Sequence, residues 1–157
     1  MNTAKTISFL LLGITFVGSA QAVSPFKIFK GTGSVNHGRC HMHSCSWSKS
    51  ISTRVVQFSE EQAILEVKLL GGTTSLGDNI KPPTAHEWNK KPHTVVITCS
   101  YDHPSTAVGS QLTELEFDEY GVPGVFESSA RLYFKYCHSE DLMDISEAAS
   151  KYGYLRR

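Results

Sequence analysis

The sequence predicts an α+β domain, a mainly antiparallel sheet of about five strands followed by one or two C-terminal helices and stabilised by disulfides. Three observations carry this reading. Between residues 26 and 117, apolar side chains recur with a period of two or in short β-branched runs. From Val125 onward the period lengthens to that of a helix. The four cysteines, Cys40, Cys45, Cys99 and Cys137, form an even set in a chain that opens like an exported precursor.

The opening itself has three parts in order. Residues 1–5 carry one positive charge, at Lys5, and residues 7–17 are almost wholly apolar, with Ser8, Gly13 and Thr15 as the exceptions. Ala20-Gln21-Ala22 then gives the small-x-small pattern that signal peptidase accepts. The apolar run is shorter than the roughly 20 residues a bilayer core requires. The expectation is a secretory signal peptide over 1–22 and one globular exported domain over 23–157. That domain has no transmembrane segment and works in a bacterial periplasm or outside the cell.

Along the mature chain, residues 26–30 alternate weakly and read as a first strand, ended by Gly31-Thr32-Gly33. Residues 51–58 are rich in β-branched side chains, and 63–70 place Leu65, Val67 and Leu69 on one face with Glu66 and Lys68 on the other. Together they predict a hairpin turning at 59–62 and closed by Gly71-Gly72. Residues 71–92 read as a long loop containing Gly77, Pro82, Pro83 and Pro92. The run 94–99 is apolar enough for a central strand, and 112–117 alternate. Phe126, Ala130, Tyr133, Phe134 and Cys137 then fall on one helical stripe; a strand over 131–137 is the competing reading. A second helix is expected over 140–151, with Ser139 as N-cap, Glu140 and Asp141 at the positive end of its dipole and Gly153 as its stop.

Charge limits the partners. Without Lys5 the domain has 14 basic and 15 acidic side chains, which argues against nucleic acid. The distribution is uneven: residues 23–91 carry nine Lys/Arg and five Asp/Glu, whereas 92–157 carry five and ten. In an oxidising compartment the favoured pairing is Cys40–Cys45, around four residues, and Cys99–Cys137, the latter worth about 3–4 kcal/mol by loop closure.

Three segments could carry chemistry. His37, His41 and His43 lie close together around Met42, and imidazoles with a thioether suit copper or zinc. Cys45-Ser46-Trp47 resembles the nucleophile segment of papain-like cysteine peptidases. That resemblance implies Cys45 as nucleophile and His93, at the head of the strand 94–99, as base. The sequence departs from the pattern where a helix should follow, because residues after Trp47 are polar and then β-branched. The loop 81–93 holds Trp88 among polar residues with Pro83 and Lys90, a composition suited to a protein contact. Other signatures are incomplete. His86-Glu87-Trp88-Asn89-Lys90 has Lys where a zinc peptidase has its second His, and Gly31-Thr32-Gly33-Ser34-Val35-Asn36 lacks the final glycine of a dinucleotide loop. Glu114, Glu116, Asp118 and Glu119 are explained by exposed strand and turn positions.

The leading expectation is an exported binding protein, without a cofactor, that acts on an envelope protein in an inhibitor- or immunity-like role. A copper- or zinc-binding protein built on the three histidines is the second expectation, and a Cys45/His93 hydrolase the third.

Overall fold

The computed structural model describes residues 25–75, 81–84, 87–141 and 144–156, so the signal-peptide reading of 1–22 lies outside the described residues. Among the described residues, six strands pair antiparallel in chain order: β1 (Val35–His41), β2 (Ser44–Phe58), β3 (Gln62–Ser75), β4 (His93–Ser100), β5 (Ser105–Val108) and β6 (Gln111–Glu114). The α-helices α1 (Glu127–His138) and α2 (Ile145–Lys151) follow among the described residues. The architecture is the expected α+β, and no helix among the described residues is long and apolar enough to cross a membrane.

The core sits between the sheet and α1. Alternation along the pleat buries Ala63, Leu65, Val67 and Leu69 of β3 beside Val95, Ile97 and Cys99 of β4. Helix α1 brings Ala130, Tyr133, Phe134, Tyr136 and Cys137 into this layer, and each large apolar side chain buried there contributes about 1.5–3 kcal/mol. The Cys99–Cys137 bridge joins β4 to α1 inside the layer, and Cys40–Cys45 joins β1 to β2. The hydroxyl of Tyr133 is paired in the core: it donates to the Ser100 carbonyl at 2.8 Å, and its oxygen is 2.7 Å from that of Tyr154. The Tyr154 hydroxyl meets His138 Nε2 at 2.8 Å.

Several boundaries differ from the expectations. Residues 26–30 form no strand. They cross the end of α1, where the Phe29 N–H donates to the Tyr136 carbonyl at 3.1 Å, one of the acceptors the last helical turn leaves open. Phe26 enters the core against Tyr101 and His138. Strand β2 begins at Ser44 and β3 continues through Gly71-Gly72 to Ser75, because the polar residues 44–50 of β2 pair with 69–75 of β3. β5 is an additional strand, and α1 rather than a strand occupies 131–137. Ser139 is not an N-cap. It ends α1 in the left-handed region at φ 53°, and Asp144 caps α2 by accepting the Glu147 N–H at 3.0 Å. Glu140 is engaged elsewhere, with Lys151 and Tyr152.

Candidate functional site

The site grows from one register line. His37 of β1 lies opposite Trp47 of β2, Trp47 opposite Gly72 of β3, and Gly72 opposite Trp88. Residues directly opposite in an antiparallel ladder share a face, so two tryptophans flank a glycine that covers nothing. Beyond the start of β4, residues 87–89 act as a short extra strand: Asn89 N–H donates to the Gly71 carbonyl at 2.8 Å and Thr73 N–H to that of Glu87 at 3.4 Å. The Trp88 ring and Pro83 rest on the bare backbone of Gly72, where a Cβ would stand 2.7 Å from Trp88 Cε3 and 3.1 Å from Pro83 Cγ. Trp47 is fixed by its indole N–H, which donates to Thr74 Oγ1 at 2.8 Å, and by the His37 ring edge, with centroids 4.8 Å apart.

On β2 and β3 this face is the one opposite the core, while at the β1 edge His37 and Trp47 border a groove shared with Arg131 and Lys135 of α1. Ser46 and Ser50, alternating with Trp47 on β2, reach Ser128 and Tyr136 of α1. Cys45, Trp47 and Lys49 therefore point the other way. Along the same face run Arg54, Lys68 and Glu66, the first and last of these ion-paired, while Lys81, Lys90 and Lys91 are exposed in the flanking connection. Lys49 thus shares a face with Trp47, and Lys90 and Lys91 follow Trp88 closely in the chain. Both tryptophans are half-buried.

At the β1 end, His37 Nε2 lies 3.1 Å from Cys40 Sγ. A disulfide sulfur has no hydrogen to give, so the imidazole N–H is the donor. Burial pulls the His37 pKa below its ordinary value, the Arg131 guanidinium adds to this, and Glu127 opposes it. The edge beside His37 opens on a groove of about 210 Å³ in which Arg131 and Lys135 are already paired with Glu127 and Asp141.

The three histidines do not converge. Met42 and His43 form the two-residue turn between β1 and β2, at φ 46° and 62°. His41 lies on the face opposite Cys40, and its Nδ1 accepts from the Arg39 guanidinium at 3.3 Å. Among the described residues, the metal-capable side chains whose ligand atoms lie within 4.8 Å of one another are His37, Cys40 and Cys45. Nor do Cys45 and His93 form a nucleophile–base pair. Cys45 is bonded to Cys40, and it pairs with Thr74 whereas His93 pairs with Leu69, five positions along β3 and one strand further across. That separation is on the order of 15–20 Å.

The acidic residues form a second, separate feature. Glu114, Glu116 and Asp118 line a groove of about 760 Å³ beside β6, together with Leu112, Phe117 and Phe126. Asp118 accepts the Tyr120 N–H at 2.8 Å, as expected of a turn residue.

The sequence sets Trp88 and Pro83 apart in the loop 81–93, but does not link Trp47, Gly72 and Thr74 to them. The signal was there in Thr73-Thr74 after the glycine pair, since β-branched residues continue a strand that two glycines alone would end. Comparison with protein-family models, with curated proteins and with solved structures finds no match for this chain.

Proposed function

We propose that residues 23–157 act as an exported, disulfide-stabilised binding protein that docks on another protein of the bacterial cell envelope, in an inhibitor- or immunity-like role. The face used is the one built on Trp47, Gly72 and Trp88. The observation that carries this reading is the unbroken line His37–Trp47–Gly72–Trp88 across neighbouring strands, on the face of the sheet opposite the core. Rigid aromatic anchors held by backbone pairing lose little entropy on association. The surrounding Lys49, Lys68, Lys81, Lys90 and Lys91 select a partner whose contact surface is acidic at its rim.

The test is direct. The mature chain captures its partner from an envelope extract, and the purified pair is titrated with wild type, Trp88→Ala, Trp47→Ala and Tyr120→Ala. The two tryptophan variants should bind roughly thirty-fold more weakly or worse, as for central anchors, while Tyr120→Ala, 86% exposed and beside α2, leaves affinity unchanged. Lys90→Glu should act through association rate and salt dependence. Equal affinity for wild type and both tryptophan variants would exclude this face.

A further inference from the structure

We propose that opening the Cys40–Cys45 bridge converts the β1–β2 corner into a three-ligand site for a soft metal ion, Cu(I) or Zn(II), held by Cys40, Cys45 and His37. The backbone builds this constellation. Residues 37 and 40 would face opposite sides of a regular strand, but the ladder shifts register between them. The shift adds one residue to β1 and turns His37 to the side of Cys40. Ser46 pins the bulge by accepting the Arg39 N–H at 2.9 Å and donating to the Arg39 carbonyl at 3.2 Å. Gly38 is required there, since a Cβ would stand 2.4 Å from Ser46 Oγ and 3.1 Å from the Ser46 carbonyl.

The ligand atoms are already gathered. Nε2 of His37 is 3.1 Å from Cys40 Sγ, and all three ligand atoms lie within 4.8 Å of one another. A tetrahedral ion with ordinary zinc bond lengths needs nitrogen–sulfur spacings of about 3.6 Å and a sulfur–sulfur spacing of about 3.8 Å. Small side-chain rotations provide both once the bond is broken. The cysteines stay opposite each other without it, because the Met42-His43 turn closes β1 on β2 and Cys45 remains paired with Thr74. Trp47 keeps the His37 ring in place.

The chemistry balances. The bridge takes two electrons and two protons from a dithiol reductant, which leaves as its own disulfide. The metal ion then displaces the two thiol protons and is bound by two thiolates and a neutral imidazole, a soft donor set with one position open. The second bridge does not compete, because Cys99 and Cys137 are both fully buried whereas Cys40 is partly exposed.

The test uses the mature protein treated without oxygen with one equivalent of a water-soluble phosphine. Alkylation and mass spectrometry should find Cys40 and Cys45 labelled and Cys99 and Cys137 protected. Zn(II) is added in one arm and Cu(I) in another, and native mass spectrometry should show one ion per reduced chain in at least one arm and none on the oxidised chain. His37→Ala and His37→Phe, the latter keeping a ring against Trp47, should each weaken uptake roughly tenfold or more. His41→Ala and His43→Ala should leave it unchanged. Uptake by the oxidised chain, uptake indifferent to both His37 variants, loss in the His41 or His43 variants, or prior opening of Cys99–Cys137 would each overturn the proposal.

Discussion

At the last turn of α1, His138 is taken out of water, stacked on Tyr152 with ring centroids 4.0 Å apart while Nε2 meets the Tyr154 hydroxyl at 2.8 Å. Burial lowers its pKa from 6.5 to about 4; Glu140 works against that shift and Lys151 with it. The folded state therefore binds this proton less readily than the unfolded chain. Stability is fully present above about pH 6.5 and is lost as pH falls toward 4, by about 3 kcal/mol in all. His37 shifts in the same direction and adds to the slope. Urea midpoints measured between pH 7 and 4.5 should fall steadily, and His138→Gln should remove most of that fall. An imidazole of His138 titrating at its ordinary value by NMR would contradict the burial. Little of this was legible from the sequence. Nothing local to His138 indicates that Tyr152 and Tyr154 return to cover it.

At the scale of elements, strands β3 and β4 and helix α1 were legible because one apolar stripe decides each of them. The β1–β2 hairpin was not. Residues 35–50 are mostly polar, and their pairing is set by a two-residue turn, a bulge and a partner strand far along the chain. Helix α2 starts five residues later than expected because Asp144, not Ser139, caps it. Gly72 is the element-level test of the aromatic face. Its backbone has ordinary φ, so Gly72→Ala keeps the strand, but the new methyl meets Trp88 Cε3 at 2.7 Å and lifts the indole. The variant should show red-shifted tryptophan emission and weaker partner binding while retaining the far-ultraviolet circular dichroism of the wild type. Unchanged emission and affinity would mean that Trp88 does not depend on that bare backbone. Gly38→Ala should instead cost stability, about 1–3 kcal/mol by urea unfolding, because the clash there includes backbone.

For the whole molecule, the two bridges divide the work. Cys99–Cys137 closes 38 residues and staples the core, so Cys99→Ala/Cys137→Ala should lose about 3–4 kcal/mol in urea unfolding. Cys40–Cys45 closes a separation of five, and the corresponding double variant should lose about 2 kcal/mol or less. A larger loss for the short bridge would reverse that assignment. Part of the acidic excess of the second half gathers in space, with Glu114, Glu116 and Asp118 lining the β6 groove. Composition gave the sign of each half of the chain. Only the register shows that Trp47 and Trp88, both in the basic half, fall on one line across neighbouring strands. The most direct test of that face is site-specific photo-crosslinking in exporting cells, with a photo-reactive residue at position 88 or, for comparison, at position 120. Position 88 should give a discrete adduct with one envelope protein and position 120 none; an adduct from position 120 with none from position 88 would contradict the account.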